Sequence, residues 1–273
     1  MARPMRLANR TAVVTGAASG IGRAIAISLA RRCCHLALAD IDEAGMAHTA
    51  ALLAPHGVRV SCHCLDVSDT AAVAALPDAV RRAHNGVDLL FNNAGVAMWG
   101  NFDQVSDADF EWLFNINFHG LVRMTRAFLP LLKASDDARL VNISSVFGLV
   151  APSGQAAYAA SKFAVRGFSE ALRHELEHTS VGVTVVFPGG VATSISERAR
   201  RPAAISREEI EQGLARSRRL LRLPPEVAGE TIVKGVEQRK ARVLIGSDAR
   251  MIDLLVRLAP ASYWIIMRRM MGR

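Results

Sequence analysis

The sequence predicts an α/β fold: one doubly wound parallel sheet of about seven strands with helices on both faces. Three observations lead there. Short apolar runs alternate with stretches of 3.6-residue periodicity along most of the chain, a β-α-β-α rhythm. Hydrophobic residues make up 51% of the chain but aromatics only 5%, so Ala, Val, Leu and Ile must supply the core, as strands buried on both faces require. The length, 273 residues with no linker or internal repeat, suits one large domain over 1–273 better than two small ones.

The polar lead MARPMRLANR has no signal-peptide pattern. The first strand, Thr11–Thr15, runs into Thr15-Gly16-Ala17-Ala18-Ser19-Gly20-Ile21-Gly22, and a helix follows over 21–32. Glycines at Gly16, Gly20 and Gly22 permit a sharp turn and a close backbone approach to a pyrophosphate, whose charge the helix N-terminus would hold. The second strand, His35–Asp40, ends on a carboxylate 24 residues after Gly16. There Asp40 would accept bonds from ribose hydroxyls and repel a 2′-phosphate, a preference for NAD over NADP. Asp42 adds to that repulsion, and no Arg or Lys follows Asp40 directly. The alternative role for Asp40 is N-cap of the helix at 42–54.

The third strand, 58–65, leads into a helix at 69–84, and the fourth, Leu89–Asn92, into a long helical pattern at 106–133. The fifth, 139–144, precedes a helix at 155–178 that carries Tyr158 and Lys162. Their i, i+4 spacing puts both on one face. An adjacent ammonium favours the phenolate, so the pair suits proton transfer by tyrosine. A sixth strand at 183–187, a helical pattern at 206–222, a helix at 225–237 and a strand at Arg242–Ile245 complete the sheet. The cysteines fall as Cys33-Cys34 and Cys62-His63-Cys64, without the two-residue gap of a zinc site. Strand alternation would also turn His63 away from its neighbours, so small buried thiols in a reducing cytoplasm are expected, with no metal.

The Gly-x-x-x-Gly-x-Gly spacing, Asn93-Ala94-Gly95, Asn117-Phe-His-Gly, Ser145 thirteen residues before Tyr158, Tyr158-x-x-x-Lys162 and Pro188-Gly189-Gly190-Val191-Ala-Thr193 occur in this order. Together they resemble the classical short-chain dehydrogenase/reductase family over roughly residues 8–250, with similarity in 141–175 and 242–246 to the branch of acetoin-type and long-chain alcohol dehydrogenases. The resemblance implies a single-domain Rossmann fold in a cytoplasmic homodimer or homotetramer. It also implies hydride transfer between a nicotinamide dinucleotide and a small-molecule alcohol or carbonyl. It assigns catalysis to Asn117, Ser145, Tyr158 and Lys162, with Asn117 holding a relay water. Besides the residues already named, the dinucleotide would be held by Ser19 and Ile21 in the turn and by Asp66 and Val67 at the adenine. Asn93, Ala94 and Gly95 would lie against the dinucleotide at the fourth strand, Asn93 bracing the sheet beside it, and Pro188, Gly189, Val191 and Thr193 would meet the nicotinamide. Lys162 would hold its ribose.

The substrate side is expected from Ser145, Phe147, Gln155 and Gly190, with Val146, Leu149, Val150, Ala151, Met98 and Trp99 making the pocket apolar and suited to a hydrophobic secondary alcohol or ketone. The net charge of +8 is concentrated in two segments. Residues 194–223 hold eight Arg against four Glu, and 250–273 hold five Arg against one Asp. No nucleic-acid-reading motif accompanies them. The Arg-rich 194–222 stretch falls where the family places a substrate lid, and its cations would meet either an anionic substrate or solvent. The tail, apolar and basic, would lie on an anionic membrane or, as favoured, pack across a subunit interface. Two rival readings keep the fold: a dinucleotide-sensing regulator, and a membrane-associated NADP-dependent lipid reductase.

Overall fold

The computed structural model describes residues 3–202 and 205–270. Its strands are β1 (Thr11–Thr15), β2 (His35–Asp40), β3 (Val60–Cys64), β4 (Leu89–Asn92), β5 (Ala138–Ile143), β6 (Val181–Pro188) and β7 (Arg242–Ile245). They form one all-parallel sheet in the order β3-β2-β1-β4-β5-β6-β7. The chain winds outward from β1 to β3, then returns to the other side of β1 with β4. That reversal opens a crevice beyond the carboxyl ends of β1 and β4, where such sheets bind ligands.

The helices are α1 (Gly20–Ala30), α2 (Glu43–Leu53), α3 (Thr70–His84), α4 (Asp107–Phe114), α5 (Leu121–Ala134), α6 (Ala156–Glu175), α7 (Arg207–Leu220), α8 (Pro225–Glu237), α9 (Ser247–Leu258) and α10 (Tyr263–Met270). Strand alternation sorts the core into two layers. Val14, Leu38 and Phe91 pack beneath Ile25 and Leu29 of α1, Met46 of α2 and Ile232 and Val236 of α8. Val13, Leu90 and Leu140 face Val73 of α3, Phe128 of α5 and Leu172 of α6. Each fully buried Leu, Ile or Phe contributes about 1.5–3 kcal/mol, so both faces must be covered for the sheet to persist. Inside the second layer, Asn92 Nδ2 donates to Asn142 Oδ1 (2.9 Å) and Thr125 Oγ1 (3.0 Å), and Asn142 Nδ2 donates to Ser169 Oγ (2.9 Å). This polar chain ties β4 and β5 to α5 and α6, the helices that flank the crevice.

Two expectations change. The pattern at 106–133 is not one regular helix, because a six-residue π-helical turn, Asn115–Gly120, joins α4 to α5. Gly120 lies so close to Val67 that a Cβ there would come 2.8 Å from Val67 Cγ2. The wider turn accommodates that approach and turns Asn117 inward, leaving it 1% exposed. The cysteines are not uniformly buried either: only Cys34 is, while Cys33, Cys62 and Cys64 are exposed. The last two lie on β3, the edge of the sheet, where one neighbouring strand is missing. No helix among the described residues is long and apolar enough to cross a membrane.

Candidate active site

At the end of β1, Gly16 and Gly20 take left-handed φ angles of +65° and +53°, which only glycine adopts without strain. A side chain at Gly22 would overlap the Gly16 carbonyl. The turn therefore closes only with glycine at these places. Ser19 stands at the N-cap of α1, yet its side chain makes no capping bond and the first turn holds no acid. The other helix starts nearby are filled: Asp42 caps α2 and Asp69 caps α3. An anion in the crevice would meet the uncompensated N-terminus of α1.

Asp40 is not the cap of α2, since Asp42 accepts from Gly45 N at 2.9 Å. Instead each Asp40 carboxylate oxygen takes one backbone bond, from Ala18 N (2.9 Å) and Asp42 N (3.1 Å). Each keeps acceptor capacity for hydroxyls. Asp66 is exposed, accepting from Ser68 N at 2.8 Å, while Val67 is buried against Gly120. Asn93 Nδ2 donates to the carbonyls of Thr15 (2.9 Å) and Gly16 (3.2 Å). Thr15 Oγ1 in return accepts from the N–H groups of Asn93 and Ala94. These bonds lock the glycine turn to the exit of β4. The open N-terminus, the free capacity of Asp40 and the glycine floor together suit a dinucleotide.

The chemistry-bearing side chains meet beyond β5. Ser144 is turned into the fold, its hydroxyl donating to the Lys162 carbonyl at 2.8 Å. Ser145 opens a short 3₁₀ turn, Val146–Gly148, and accepts from Phe147 N at 3.1 Å. Tyr158 is half-buried with the Phe147 ring edge-on at 6.0 Å. Lys162, 5% exposed, sits with Nζ 5.7 Å from the Tyr158 ring centre and donates to the Ile143 carbonyl at 3.2 Å. Burial pushes the Tyr158 phenol up to about 12, with hydrogen bonding from Ser145 pulling the other way. The same desolvation pushes Lys162 down to about 8. By spacing alone, the ammonium four residues away would lower the phenol. In the protein alone desolvation outweighs that attraction, so the phenol holds its proton at neutral pH.

Asn117 lies beside this group, but its amide is committed. Oδ1 accepts from Val96 N (2.8 Å), and Nδ2 donates to Val96 O (3.0 Å) and Ser161 Oγ (3.2 Å). The side chain thus pins the 95–96 segment to α6, with both amide hydrogens taken and one acceptor position left on Oδ1. A Cβ at Gly95 would lie 3.1 Å from Asn117 Oδ1 and 3.5 Å from Lys162 Nζ, so glycine keeps the floor beside the lysine open. Asn115, two residues away, binds Arg123 instead.

The segment from Pro188 to Thr193 follows β6 and reaches back to α1: a Cβ at Gly20 would come 3.1 Å from Thr193 Cγ2. Asp248, which sequence reasoning missed, holds this loop. Its Oδ2 accepts from Gly190 N at 2.7 Å, and its carboxylate fills the space beside Gly189 and Gly246. The only local signal was an acid just past the glycine that ends β7, and its partner is distant in sequence. The Gly190 carbonyl accepts from Arg222 and Leu223 N, and Val191 pairs with Leu223, so the loop also anchors the exit of α7.

The expected apolar lining is corrected in part. Phe147 faces Tyr158, but Leu149 and Val150 are buried, Leu149 against Val185 and Phe187 and Val150 against Ala249. Met98 is also buried, its backbone paired with Arg200, but it belongs to the cluster that Tyr158 packs against. Gln155 is the N-cap residue of α6, making no side-chain cap bond. Two arginines of the 194–222 segment are spent on the fold. Arg200 pairs with Asp109 at 3.0 Å and lies over Trp112; Arg201 lies over Trp99 and donates to the Ser196 and Glu197 carbonyls.

Residues 10–204 match the family model described as short chain dehydrogenase. The SadH protein of Mycobacterium tuberculosis is 45% identical over 258 residues, covering 93% of this chain and 92% of its own. The oxidoreductase UcpA of Escherichia coli is 37% identical over 197 residues, 72% of this chain and 74% of its own. A Burkholderia phymatum short chain dehydrogenase/reductase solved with NAD superposes with a TM-score of 0.86 at 32% identity, covering 94% of this chain and 95% of that one. A metagenomic short-chain oxidoreductase solved with NADP gives 0.71 at 28% identity, covering 88% and 98%. Sheet order, turn and sequence agree: the chain belongs to the short-chain dehydrogenase family and is an oxidoreductase.

Proposed function

We propose that the protein transfers a hydride between NAD and an apolar secondary alcohol or ketone, with Tyr158 moving the proton. The observation that carries this reading is the convergence of Ser145, Tyr158 and Lys162 beyond β5, on the same carboxyl-end side of the parallel sheet as the open N-terminus of α1. When bound, the dinucleotide supplies a hydride acceptor or donor at nicotinamide C4 and, oxidised, a positive charge over the site. Tyr158 takes the hydroxyl proton in oxidation and returns it in reduction. Ser145 steadies the substrate oxygen as charge develops on it. Lys162, largely charged below about pH 8, works against the burial that holds the phenol up. It would also hold the nicotinamide ribose, with Pro188, Gly189, Val191 and Thr193 positioning the ring. Asn117 positions Lys162's surroundings through Val96 and Ser161.

Ser19, Gly20 and Ile21 open the helix end that takes the pyrophosphate, and Asp66 and Val67 flank the adenine. NAD rather than NADP follows from Asp40, whose carboxylate has acceptor capacity left while exposed Ile41, not a cation, comes next. A self-associating dimer or tetramer completes the reading, carried over from the family resemblance.

The test is absorbance-monitored oxidation of a panel of secondary alcohols with NAD and NADP in parallel. Turnover with NAD is expected, and Tyr158→Phe should lower kcat by about 10²–10⁴ while dinucleotide affinity stays within about twofold. Asp40→Ala should raise acceptance of NADP. Normal turnover by Tyr158→Phe would sink the mechanism. Binding without turnover on any alcohol would favour the sensing role instead.

A further inference from the structure

The C-terminal helices turn an apolar, basic surface to solvent. The inner faces of α9 and α10 are occupied by their own chain: Ala249, Ile252, Val256, Tyr263 and Met267 pack on Val146 and Val150. Tyr263 also accepts from Ala151 N at 3.3 Å. Both helices lean on one cluster, joined by a four-residue turn. On their outer faces Met251, Leu254, Leu258, Ile265 and Ile266 are 51%, 58%, 76%, 48% and 37% exposed. Met251, Leu254 and Leu258 repeat at i, i+3 and i+7, a single helical stripe. An exposed apolar stripe of this kind normally has a partner.

Charge decides between occupants. Arg250, Arg257, Arg268 and Arg269 border the stripe and are all exposed. Arg250, Arg268 and Arg269 make no ion pair among the described residues, while Arg257 pairs with Asp253 at 3.0 Å. Asp253 is the only acid from 250 to 270; it is buried and also bound by Arg242. Asp248, earlier in α9, is engaged with Gly190. A second copy docked face to face would set four arginines against four. An anionic lipid surface matches both features, accepting apolar side chains below the headgroups and guanidinium groups at phosphate level.

We propose that α9 and α10 form a docking surface for anionic phospholipid membranes, seating the protein with its Val146–Ala151 loop close to the bilayer. The proposal rests on this surface and not on the reaction assigned above. The experiment is cosedimentation of the full chain with phosphatidylcholine vesicles, with and without about one-third phosphatidylglycerol. Binding at least about tenfold stronger to the anionic vesicles is expected, weakening as salt rises. Arg268→Gln with Arg269→Gln should weaken it roughly tenfold or more. Leu254→Glu with Leu258→Glu should abolish it while the thermal melt stays within a few degrees of the parent. No binding, or equal binding to neutral and anionic vesicles, would overturn the proposal. So would a change from dimer to monomer in the leucine variant without any vesicle binding, which would give the face to a second copy.

Discussion

Ser19 and Ser206 stand at the same place on two helices and do opposite things. Ser206 closes α7 with a complete capping box: its hydroxyl accepts from Glu209 N at 3.2 Å and the Glu209 carboxylate accepts from Ser206 N at 2.9 Å. Ser19 makes no side-chain bond to α1. The difference extends to the regions around them. On the dinucleotide side, α1 is held by tight glycine packing against Gly16 and Asn93, so its N-terminus stays open without loss of the helix. In the 194–222 segment, none of the described residues of α7 is buried; apart from the approach of Gly213 to Trp99, the helix rests on its capping box and an exposed ion pair between Arg218 and Glu197. A helix fixed by tertiary packing can leave its end free for a ligand; one fixed locally must satisfy its own end.

The largest expected effect would break the first half of this comparison. Gly22→Ala should cost several kcal/mol and dinucleotide affinity together, because its Cβ overlaps the Gly16 carbonyl and overpacking against backbone finds little relief. Gly86→Ala, with open space around it, should stay within about 0.5 kcal/mol. Denaturant melts with a dinucleotide titration measure both, and equal costs would mean the turn is not packed as described.

A second test concerns the buried pair on α6. Lys162 titrates near 8 in the folded protein against 10.5 ordinarily, so over that window the unfolded chain binds more protons and stability rises with pH. Relative to Lys162→Met, the parent should gain up to about 3 kcal/mol between pH 8 and pH 10.5. A difference flat in pH would show that the lysine is solvated.

The smallest effect sharpens the contrast between caps. Ser206→Ala should cost about 1 kcal/mol of local stability, visible as faster amide exchange in the first turn of α7. Ser19→Ala should leave exchange in α1 unchanged. Matching losses would make both serines ordinary caps.

The elements that announced themselves in the sequence are those whose chemistry is local. Gly16, Gly20 and Gly22 declare a turn because only glycine tolerates such backbone, and Tyr158 and Lys162 declare a pair because helical spacing fixes their face. All seven strands were legible from apolar runs for the same reason. What residues far apart in sequence do to each other was not. Gly120 packs on Val67 beside the π-helical turn that ties Asn117 to Val96 and Ser161, and Asp248 reaches across from α9 to hold Gly190. Burial of Leu149 and Val150 depends on β6 and α9, so no pattern within the loop could separate them from pocket lining. The rise of Tyr158 above its ordinary range is a consequence of desolvation by the assembled fold. Spacing and backbone rules determined which groups this protein carries and on which elements. Packing decided which of them are spent on one another and which are left free.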